Sequence, residues 1–368
     1  MITIIGAGPV GSYTAQLLAK NGKDVRVFEE HSEIGKPVQC TGIVTKSIEE
    51  ITSIRKDFLV NRLRKVRVHA PNGNEAEVKI NDIVIDRAKF DNHLADKAKK
   101  AGAEIMLNNR ITGIRSDSTA KKIQIDNTTT KKVNLTKTDV LIGADGPNST
   151  VSKHMGNKRP DCWIGIQAVA RMPVDKNTYE VYFGDDIPGF FGWVVPENES
   201  TARVGIATIK NPRQVFERFM KKLDGCRITE MQGGLIPKYD PKTLIENNRT
   251  YLVGDAATQV KATTGGGLVP GLKAAECLAR SITEETSYKN ELRAVTKELK
   301  ISLKIRNVLD KFYDDDYNQL ICMIGKEKLQ SVLNEHDRDS PSKIIFKSLA
   351  REPRLVLFSR ALLRAKRL

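Results

Sequence analysis

The feature that most constrains the fold is a glycine pattern after the first strand-like run. Residues 2–5 are all β-branched, which is typical of a buried parallel strand. Gly6-Ala7-Gly8-Pro9-Val10-Gly11 follows in the spacing GxGxxG, and a helical stretch then runs from Ser12 to Asn21. The first glycine allows a tight turn, the second lets the backbone approach a pyrophosphate, and the third lets helix and strand pack closely. The pattern predicts a Rossmann-type dinucleotide site with the anion at the helix N-terminus.

An acidic residue at the expected distance strengthens this prediction. A second apolar run, from Val25 to Phe28, ends on Glu29, where a carboxylate can hydrogen-bond a ribose hydroxyl. The neighbouring Glu30 is either a second ribose contact or a solvated loop charge. A glycine pattern alone can be a structural turn, but the strand, the helix and the acid together favour a cofactor site.

The composition narrows the class of protein. At 368 residues, the chain is long enough for one large domain or two medium ones. Its five cysteines and five histidines are dispersed, so we expect neither disulfides nor a metal site. The same cysteine pattern indicates a reducing compartment. The chain has no run of about 18 apolar residues. We therefore expect a cytoplasmic protein with no signal peptide and no membrane-spanning helix.

Positive charge is concentrated near the C-terminus. The net charge is +15, which would suit either a nucleic-acid ligand or an anionic membrane. Residues 341–368 contain eight Lys or Arg and one Glu, and Pro353 divides them. Beyond it, apolar and basic side chains separate at helical spacing, with Leu355, Leu362 and Leu363 on one side and Arg360, Arg364 and Arg367 mainly on the other. This pattern predicts a basic amphipathic helix lying on anionic lipid at the inner face of the cell membrane, unless the leucines dock on the protein itself.

Other elements follow from periodicity and turn residues. In the first half of the chain, we predict a strand pair over 66–80 that turns at 71–74, a helix that opens at 85–91 and runs to 102, and a strand over 104–107. A polar solvent-facing hairpin over 121–133 and a buried strand over 140–143 should follow. Further along, we predict a β-rich region over 161–210, a helix over 212–223 and a mostly helical last hundred residues.

Two later motifs accompany the glycine pattern. Residues 143–149 read GADGPNS, and residues 252–257 read LVGDAA at the end of a predicted strand. With GxGxxG and its acid, this set resembles the two-domain flavoproteins of the p-hydroxybenzoate hydroxylase type, over roughly the first 285 residues. The resemblance implies FAD as the cofactor. It also implies an α/β fold with a Rossmann-type FAD-binding domain, a β-sheet substrate domain and a helical C-terminal region.

The third motif has a direct physical interpretation. Asp255 ends a buried strand, where its carboxylate can accept a hydrogen bond from a ribityl or ribose hydroxyl. In the glycine-rich stretch that follows, Gly266, Gly267 and Leu268 can bring backbone N–H groups to the flavin ring at a helix start. Such a helix start would stabilise negative charge on the reduced flavin. The alternative is an ordinary helix cap after an edge strand.

Four segments resemble a narrower group, the geranylgeranyl reductase family. They are Gly35-Lys36-Pro37-Val38-Gln39-Cys40 (G-x-P-V-x-C), Arg87-x-x-Phe90-Asp91, the aromatic stretch Phe191-Gly192-Trp193-Val194-Val195-Pro196 preceded by Tyr182, and residues 254–268. In the last segment, Lys261-Ala262 stands where the family has Asn-Pro. The resemblance implies FAD-dependent saturation of C=C bonds in geranylgeranyl chains of archaeal-type ether lipids or their precursors. It also implies that Arg87 lies near the FAD.

This resemblance suggests roles for the remaining candidate residues. Cys40, with Thr41 and Gly42, is expected beside the cofactor, and its thiol is either catalytic or a small apolar filler. Phe191 and Trp193 alternate along a strand and point to one face, which is either core or the lining of an apolar tunnel. The predicted substrate-binding residues are Tyr182, Phe191, Trp193 and Pro196.

The predicted organisation is a two-lobed catalytic unit over 1–285 and a basic helical region over 286–368. Its FAD-binding segments are about 1–60, 82–155 and 245–285, and its substrate-sheet segments are about 61–81 and 156–244. There is no second GxGxxG, so we expect an external electron donor: ferredoxin, a deazaflavin or a nicotinamide. The alternative function is a monooxygenase or halogenase of the same fold. Nucleic-acid binding would explain the charge but not three FAD motifs, and we expect none.

Overall fold

The computed structural model describes residues 1–116, 121–223 and 225–364. These residues form two compact units. The glycine-loop unit comprises Met1–Pro37, Arg87–Asp161 and Pro237–Leu299. The long-sheet unit comprises Val38–Asp86, Cys162–Ile236 and the chain from Lys300 onwards.

The elements were numbered in chain order. The strands are β1 Ile2–Ile5, β2 Val25–Phe28, β3 Ile43–Thr45, β4 Leu59–His69, β5 Glu75–Ile85, β6 Glu104–Met106, β7 Asn109–Ser116, β8 Lys121–Asn127, β9 Val133–Thr138, β10 Val140–Gly143, β11 Cys162–Arg171, β12 Thr178–Tyr182, β13 Gly192–Pro196, β14 Thr201–Thr208, β15 Arg227–Pro237, β16 Glu246–Asn247 and β17 Thr250–Leu252. The α-helices are α1 Pro9–Lys20, α2 Arg87–Lys100, α3 Thr150–His154, α4 Pro212–Lys221, α5 Leu268–Glu284, α6 Tyr288–Glu291, α7 Arg293–Leu309, α8 Asp314–Ile324, α9 Glu327–Glu335 and α10 Pro341–Arg351. Short 3-10 helices cover Lys46–Glu50, Gly254–Ala257 and Pro353–Leu363.

The glycine-loop unit is built on a six-stranded sheet in the order β16-β17-β10-β1-β2-β6. Its strands run parallel except where β16 meets β17. All four residues of β1 are buried, as its β-branched run predicted. The predicted strand–turn–helix unit is confirmed, because β1 leads through the glycine turn directly into α1.

The hairpin predicted over 121–133 was expected to face solvent, and that part of the prediction is wrong. The segment forms part of a three-stranded sheet, β7-β8-β9, and one face of that sheet is buried. Ile123 and Ile125 alternate with polar residues and pack against Leu141 and Leu252 of the six-stranded sheet. The composition of the segment is polar, but a strand needs apolar residues only at every second position to bury one face.

The long-sheet unit contains an eight-stranded sheet in the order β15-β11-β14-β13-β12-β4-β5-β3. The pairings given by residue register are antiparallel except for β12 with β4. Because β3 pairs with β5, residues 38–60 belong to this unit, whereas the sequence assigned them to the FAD-binding part. The boundary at Leu299 falls within α7, inside the predicted C-terminal region. Which segments contact the cofactor stays a prediction.

The C-terminal segment differs from the predicted amphipathic α-helix. Pro353 does divide it, but Pro353–Leu363 is a 3-10 helix with about three residues per turn. Leu355, Phe358 and Ala361 therefore face inwards together, and Phe358 and Ala361 join a core cluster of this unit. Leu362 and Leu363 are exposed. The leucines thus do not share one side as expected, and Arg367 lies outside the described residues.

Within the described ranges, no helix combines the length and the apolar content needed to cross a bilayer.

Candidate active site

The glycine turn between β1 and α1 has almost no room for side chains. Gly6 has φ of +97°, and a Cβ added to it would lie 2.4 Å from the carbonyl oxygen of Ala144. A Cβ on Gly11 would lie 2.0 Å from the carbonyl oxygen of Gly6. A Cβ on Gly8, by contrast, would meet no atom within 4 Å. The open backbone at Gly8, at the start of α1, is where a pyrophosphate can approach.

Glu29 is fixed beside this turn. The Ala7 N–H donates to its Oε2 (2.8 Å), while Oε1 accepts from the His31 N–H (3.0 Å) and lies 2.6 Å from Nδ1 of His31. Its side chain is buried, as an acid that contacts a ribose should be. The exposed Glu30 instead approaches Arg110 (3.4 Å). The two adjacent acids therefore have different surroundings, and Glu29 is the better candidate for the ribose contact.

The second and third motifs meet the first in the same unit. Asp145, next to the contact between Gly6 and Ala144, is half-buried and accepts from Ser149 Oγ (2.5 Å) and the Thr150 N–H (2.7 Å). Burial raises the pKa of Asp145, against the opposing effect of these hydrogen bonds. A Cβ on Gly254 would lie 3.3 Å from the side chain of Val10. Three segments that are remote in sequence thus surround one turn.

Asp255 is the acidic group of the third motif. Burial raises its pKa from 3.8 to about 6, and the positive charge of Arg87 opposes that shift. Its Oδ1 lies 2.9 Å from the Cβ position of Gly267, so a side chain at this glycine would collide with the carboxylate. Arg87 pairs with Asp91 (3.0 Å), four residues along α2. A partly buried carboxylate with a raised pKa gains when a ligand hydroxyl donates to it.

The loop before α5 can also receive a polar ligand. Gly267 is the N-cap of α5 and has no side chain with which to cap the helix, so backbone N–H groups at this helix start can donate to a ligand. The Oγ1 of Thr264 is buried and has no hydrogen-bond partner among the residues that the structure describes. A buried hydroxyl without a partner is costly, and a ligand carbonyl or ring nitrogen would satisfy it. These features, with the open backbone at Gly8, fit a flavin dinucleotide.

The Cys40 loop is held by the long sheet. Nη1 of the buried Arg203 donates to the carbonyl oxygens of Thr41 (2.6 Å) and Ile85 (3.2 Å), and its Nε pairs with Glu197 (2.6 Å). The left-handed Gly42 (φ +74°) has no room for a Cβ, and its N–H donates to the Cys40 Sγ (3.3 Å). Cys40 is half-buried in this hydrogen-bonded loop, and its role beside the cofactor stays a prediction.

The same loop is linked to the aromatic motif. The Trp193 Nε1–H and the Thr41 hydroxyl both donate to Oε1 of Gln167, at 3.0 and 2.7 Å. The indole ring lies directly on Gly205, where a Cβ would be 2.5 Å from Cζ2. The Phe191 ring meets the Trp193 ring edge-on at 6.1 Å, as expected for side chains on one face. This face carries a buried amide as well as aromatic rings, so it is not purely apolar.

The four predicted substrate residues do not share one surface. In the pairing of β12 with β13, Val181 lies opposite Trp193 and Tyr182 lies opposite Gly192. Because directly opposite residues point to the same side, Tyr182 and Pro196 lie on the face away from Trp193. Tyr182 packs there on the α4 core, stacks on His69 (4.1 Å) and hydrogen-bonds Glu180. Phe191 and Trp193 remain the candidates for substrate contact.

Comparison with known proteins decides the family. The FAD binding domain family matches residues 1–218. A digeranylgeranylglycerophospholipid reductase of Methanosarcina acetivorans is 30% identical over 367 residues, which cover 90% of this chain and 90% of that protein. The chain belongs to the FAD-binding digeranylgeranylglycerophospholipid reductase family. Its cofactor is FAD, as the three motifs predicted, and it is an FAD-dependent oxidoreductase.

Solved structures agree on the fold. A geranylgeranyl bacteriochlorophyll reductase-like protein from Thermoplasma acidophilum matches with a TM-score of 0.82 and 23% identity, covering 98% of both chains. A flavin-dependent brominase matches with a TM-score of 0.71 and 16% identity, also over 98% of both chains. The predicted flavoprotein fold of the p-hydroxybenzoate hydroxylase type is confirmed.

Gln167 and Arg203, which hydrogen-bond the Cys40 loop, and Thr264 were not predicted as functional residues. Gln167 and Arg203 each lie within an otherwise apolar stretch, 162–170 and 202–207, and only that contrast could have marked them. Their partners are distant in the chain, because Thr41 precedes Gln167 by 126 residues and Arg203 by 162. Thr264 lay within a predicted motif, but nothing in the sequence shows that its hydroxyl lacks a partner.

The open space at Gly8 generates the first prediction. Gly8→Ala should fold normally, because Gly8 has an extended backbone (φ −62°, ψ 176°) and its Cβ would meet nothing. The added methyl should hold the pyrophosphate away and weaken FAD binding about tenfold or more. Gly113→Ala, whose Cβ would make ordinary contact with Gln124, is the matched control. FAD titration and thermal melting would check both variants, and an unchanged Kd for Gly8→Ala would contradict the assignment.

The raised pKa of Asp255 generates a prediction about pH. FAD should bind best when the carboxylate is ionised and accepts a hydroxyl hydrogen bond. Because the pKa is about 6, the affinity should be full at pH 7.5 and fall as pH drops through 6. The expected loss at pH 5 is about tenfold, which corresponds to one pH unit of linkage. Asp255→Asn should bind FAD more weakly at pH 7.5 and without this slope. Fluorescence titrations would decide, and an identical slope in the Asn variant would exclude Asp255 as its source.

Proposed function

We propose that this protein uses FAD to saturate C=C bonds of geranylgeranyl chains, in archaeal-type ether lipids or their precursors. The observation that carries the proposal is the 30% identity to a named digeranylgeranylglycerophospholipid reductase over 90% of both chains. The site residues support it, because the G-x-P-V-x-C loop and the Trp193 strand are joined through the side chain of Gln167.

The chemistry sets demands on the protein. An isolated trisubstituted alkene is not polarised by a carbonyl, so it accepts hydride poorly and must be positioned well. Bound FAD, in its two-electron-reduced form, supplies the hydride. The open backbone at Gly8, the buried carboxylate of Glu29, the half-buried Asp255 and the loop at 264–268 would hold FAD in place. Arg87 would lie on the same side, where its charge already acts on Asp255.

Cys40 is our candidate for the residue that works at the double bond. Its thiol can contact the flavin or the substrate, or donate the proton that completes the saturation; a tyrosine or an ordered water could also be the donor. Arg203 supports contact of the thiol with the flavin or the substrate, because its guanidinium holds the backbone beside Cys40 in place. With Thr41 and Gly42, the thiol is carried by a loop whose geometry is determined by hydrogen bonds and not by core packing.

Phe191 and Trp193 are our candidates for contact with the isoprenoid chain. Their rings form part of one aromatic face, and aromatic side chains bury large apolar area with little loss of freedom. Electrons must come from an external donor, for which ferredoxin, a deazaflavin and a nicotinamide all remain candidates.

One alternative has a specific observation in its favour. The structural likeness to a brominase shows that this fold also occurs in a halogenating flavoprotein. A monooxygenase or halogenase would react with oxygen when reduced, whereas a reductase should reoxidise slowly and release little peroxide. Stopped-flow reoxidation in aerated buffer separates the two functions.

The third prediction tests the proposed function. Anaerobically reduced holoenzyme, mixed with geranylgeranyl lipids, should give products heavier by two hydrogens for each bond saturated. Mass spectrometry measures this directly, and a parallel reaction without reductant is the control. If the lipids keep their mass while the flavin stays reduced, the proposed function is wrong.

The role of Cys40 is tested in the same assay. Cys40→Ser should retain FAD yet slow turnover at least about tenfold, as expected for loss of a group that acts on the reacting bond. Cys322→Ser, at an exposed thiol, is the matched control and should leave turnover unchanged. Equal rates for the two variants would reduce Cys40 to a structural residue.

A peripheral contact with the membrane is the second part of our proposal. The 3-10 helix exposes Val356, Leu357 and Leu362, and it leaves Leu363 89% exposed. Arg354 and Arg360 are exposed on the same segment. An apolar surface bordered by basic groups suits anionic lipid, with about 1 kcal/mol for each basic group near the surface. A lipid substrate would have to leave a bilayer, so such a contact would shorten its path.

The fifth prediction concerns this contact. The full-length protein should float with anionic liposomes, and binding should fall at high salt as the Debye length shrinks from about 10 Å at 0.1 M to about 3 Å at 1 M. The double variant L362S/L363S should bind less, while L135S, at an exposed leucine of β9, should bind normally. These point changes are preferable to truncation, because Phe358 and Ala361 belong to a core cluster. No flotation of the unmodified protein at low salt would refute the membrane contact.

A further inference from the structure

The glycine loop before α5 contains a buried charge that the proposed mechanism does not use. Lys261 is only 5% exposed, although lysine is almost never buried without a specific reason. Its backbone organises the loop, because the Lys261 carbonyl accepts from the N–H groups of Thr264 (3.2 Å) and Gly265 (2.8 Å). The Lys261 N–H in turn donates to Gly266 (3.3 Å). The residue therefore begins and closes the turn that leads into the helix.

The Lys261 side chain folds back over its own loop. A Cβ added to Gly266 would lie 3.2 Å from Cε and 3.5 Å from Nζ of Lys261. The same Cβ position is 3.5 Å from the Thr264 hydroxyl, which is buried and has no hydrogen-bond partner within the described part of the chain. The ammonium, the unpartnered hydroxyl and the start of α5 thus converge on Gly266. The acidic group facing this loop is Asp255, at 2.9 Å from the Cβ position of Gly267.

The chemistry of a flavin gives this charge a role. Two-electron reduction of FAD with uptake of one proton leaves a negative charge on the pyrimidine part of the ring. A positive charge beside that part stabilises the reduced form more than the oxidised form and so raises the reduction potential. The effect is larger in a buried site, where a charge is poorly screened by water and salt.

We propose that Lys261 raises the reduction potential of the bound FAD by placing its ammonium beside the pyrimidine end of the flavin ring. This inference rests on the proposed placement of the flavin against the loop at 264–268. It would also explain why this sequence has a lysine at position 261, where the family resemblance predicts an asparagine. A higher potential would let a comparatively weak external donor reduce the enzyme.

The test compares the reduction potential of bound FAD in the wild type and four variants, by anaerobic titration against reference dyes. K261M and K261Q remove the charge, K261R retains it, and K100M makes the same change at an exposed lysine of α2. The neutral variants should lower the equilibrium constant for two-electron reduction about tenfold, equal to about 30 mV, while K261R and K100M stay near the wild-type value. FAD content and melting temperature would show that each variant is folded and loaded.

The outcomes separate this inference from the proposed function. Loaded K261M and K261Q with a wild-type potential would overturn the role of Lys261 and leave the FAD assignment intact. A shift in K100M as large as that in K261M would also overturn it, because a remote charge would then suffice. Wild-type protein that takes up no FAD would overturn the proposed function, and the inference with it.

Discussion

The cofactor site depends on close contact between backbones at the glycine turn. The positions of Gly6 and Gly11 leave no room for a Cβ, so β1, α1 and Ala144, which directly follows β10, approach more closely than side chains allow. Val10 then contacts Gly254, which brings in the third motif. Each glycine loses backbone entropy on folding, a cost of about 0.5–1 kcal/mol relative to alanine. That cost is offset because close contact brings three remote segments to one ligand.

Buried charge is the second constraint on this unit. Taking a charged group out of water is unfavourable unless a partner replaces the lost hydration. Glu29 has two backbone N–H donors and His31, so its carboxylate is satisfied before any ligand binds. At Asp255, the free-energy cost of desolvating the carboxylate appears as a raised pKa. At Thr264, the cost is that of a buried hydroxyl with no hydrogen-bond partner among the described residues. A flavin dinucleotide would bring the missing hydrogen-bonding groups, so much of the binding free energy would come from relieving these deficits.

In the long-sheet unit, strand register decides which residues can act together. Trp193 and Tyr182 are both aromatic and lie on neighbouring strands, yet their side chains point to opposite faces because Tyr182 lies opposite Gly192. The ion pair of Arg203 and Glu197 is nearly buried, which is stabilising only if its remaining donors are used. Nη1 is used in this way, because it donates to the carbonyl oxygens of Thr41 and Ile85. The pair thereby connects the core of the sheet to the Cys40 loop.

The sequence by itself determined the strand–turn–helix unit, the choice of FAD and the family. These depend on residues within a few positions of each other, whose spacing directly restricts backbone geometry. It did not determine the role of Gln167, which joins Thr41 to Trp193, because such contacts arise only when distant strands adopt one register. The segment after Pro353 is a further case: local spacing suggested an α-helix, but the 3-10 conformation turns Phe358 and Ala361 inwards and Leu363 outwards. Tertiary packing decided that outcome, because α and 3-10 conformations differ little in local energy and the available core contacts select between them.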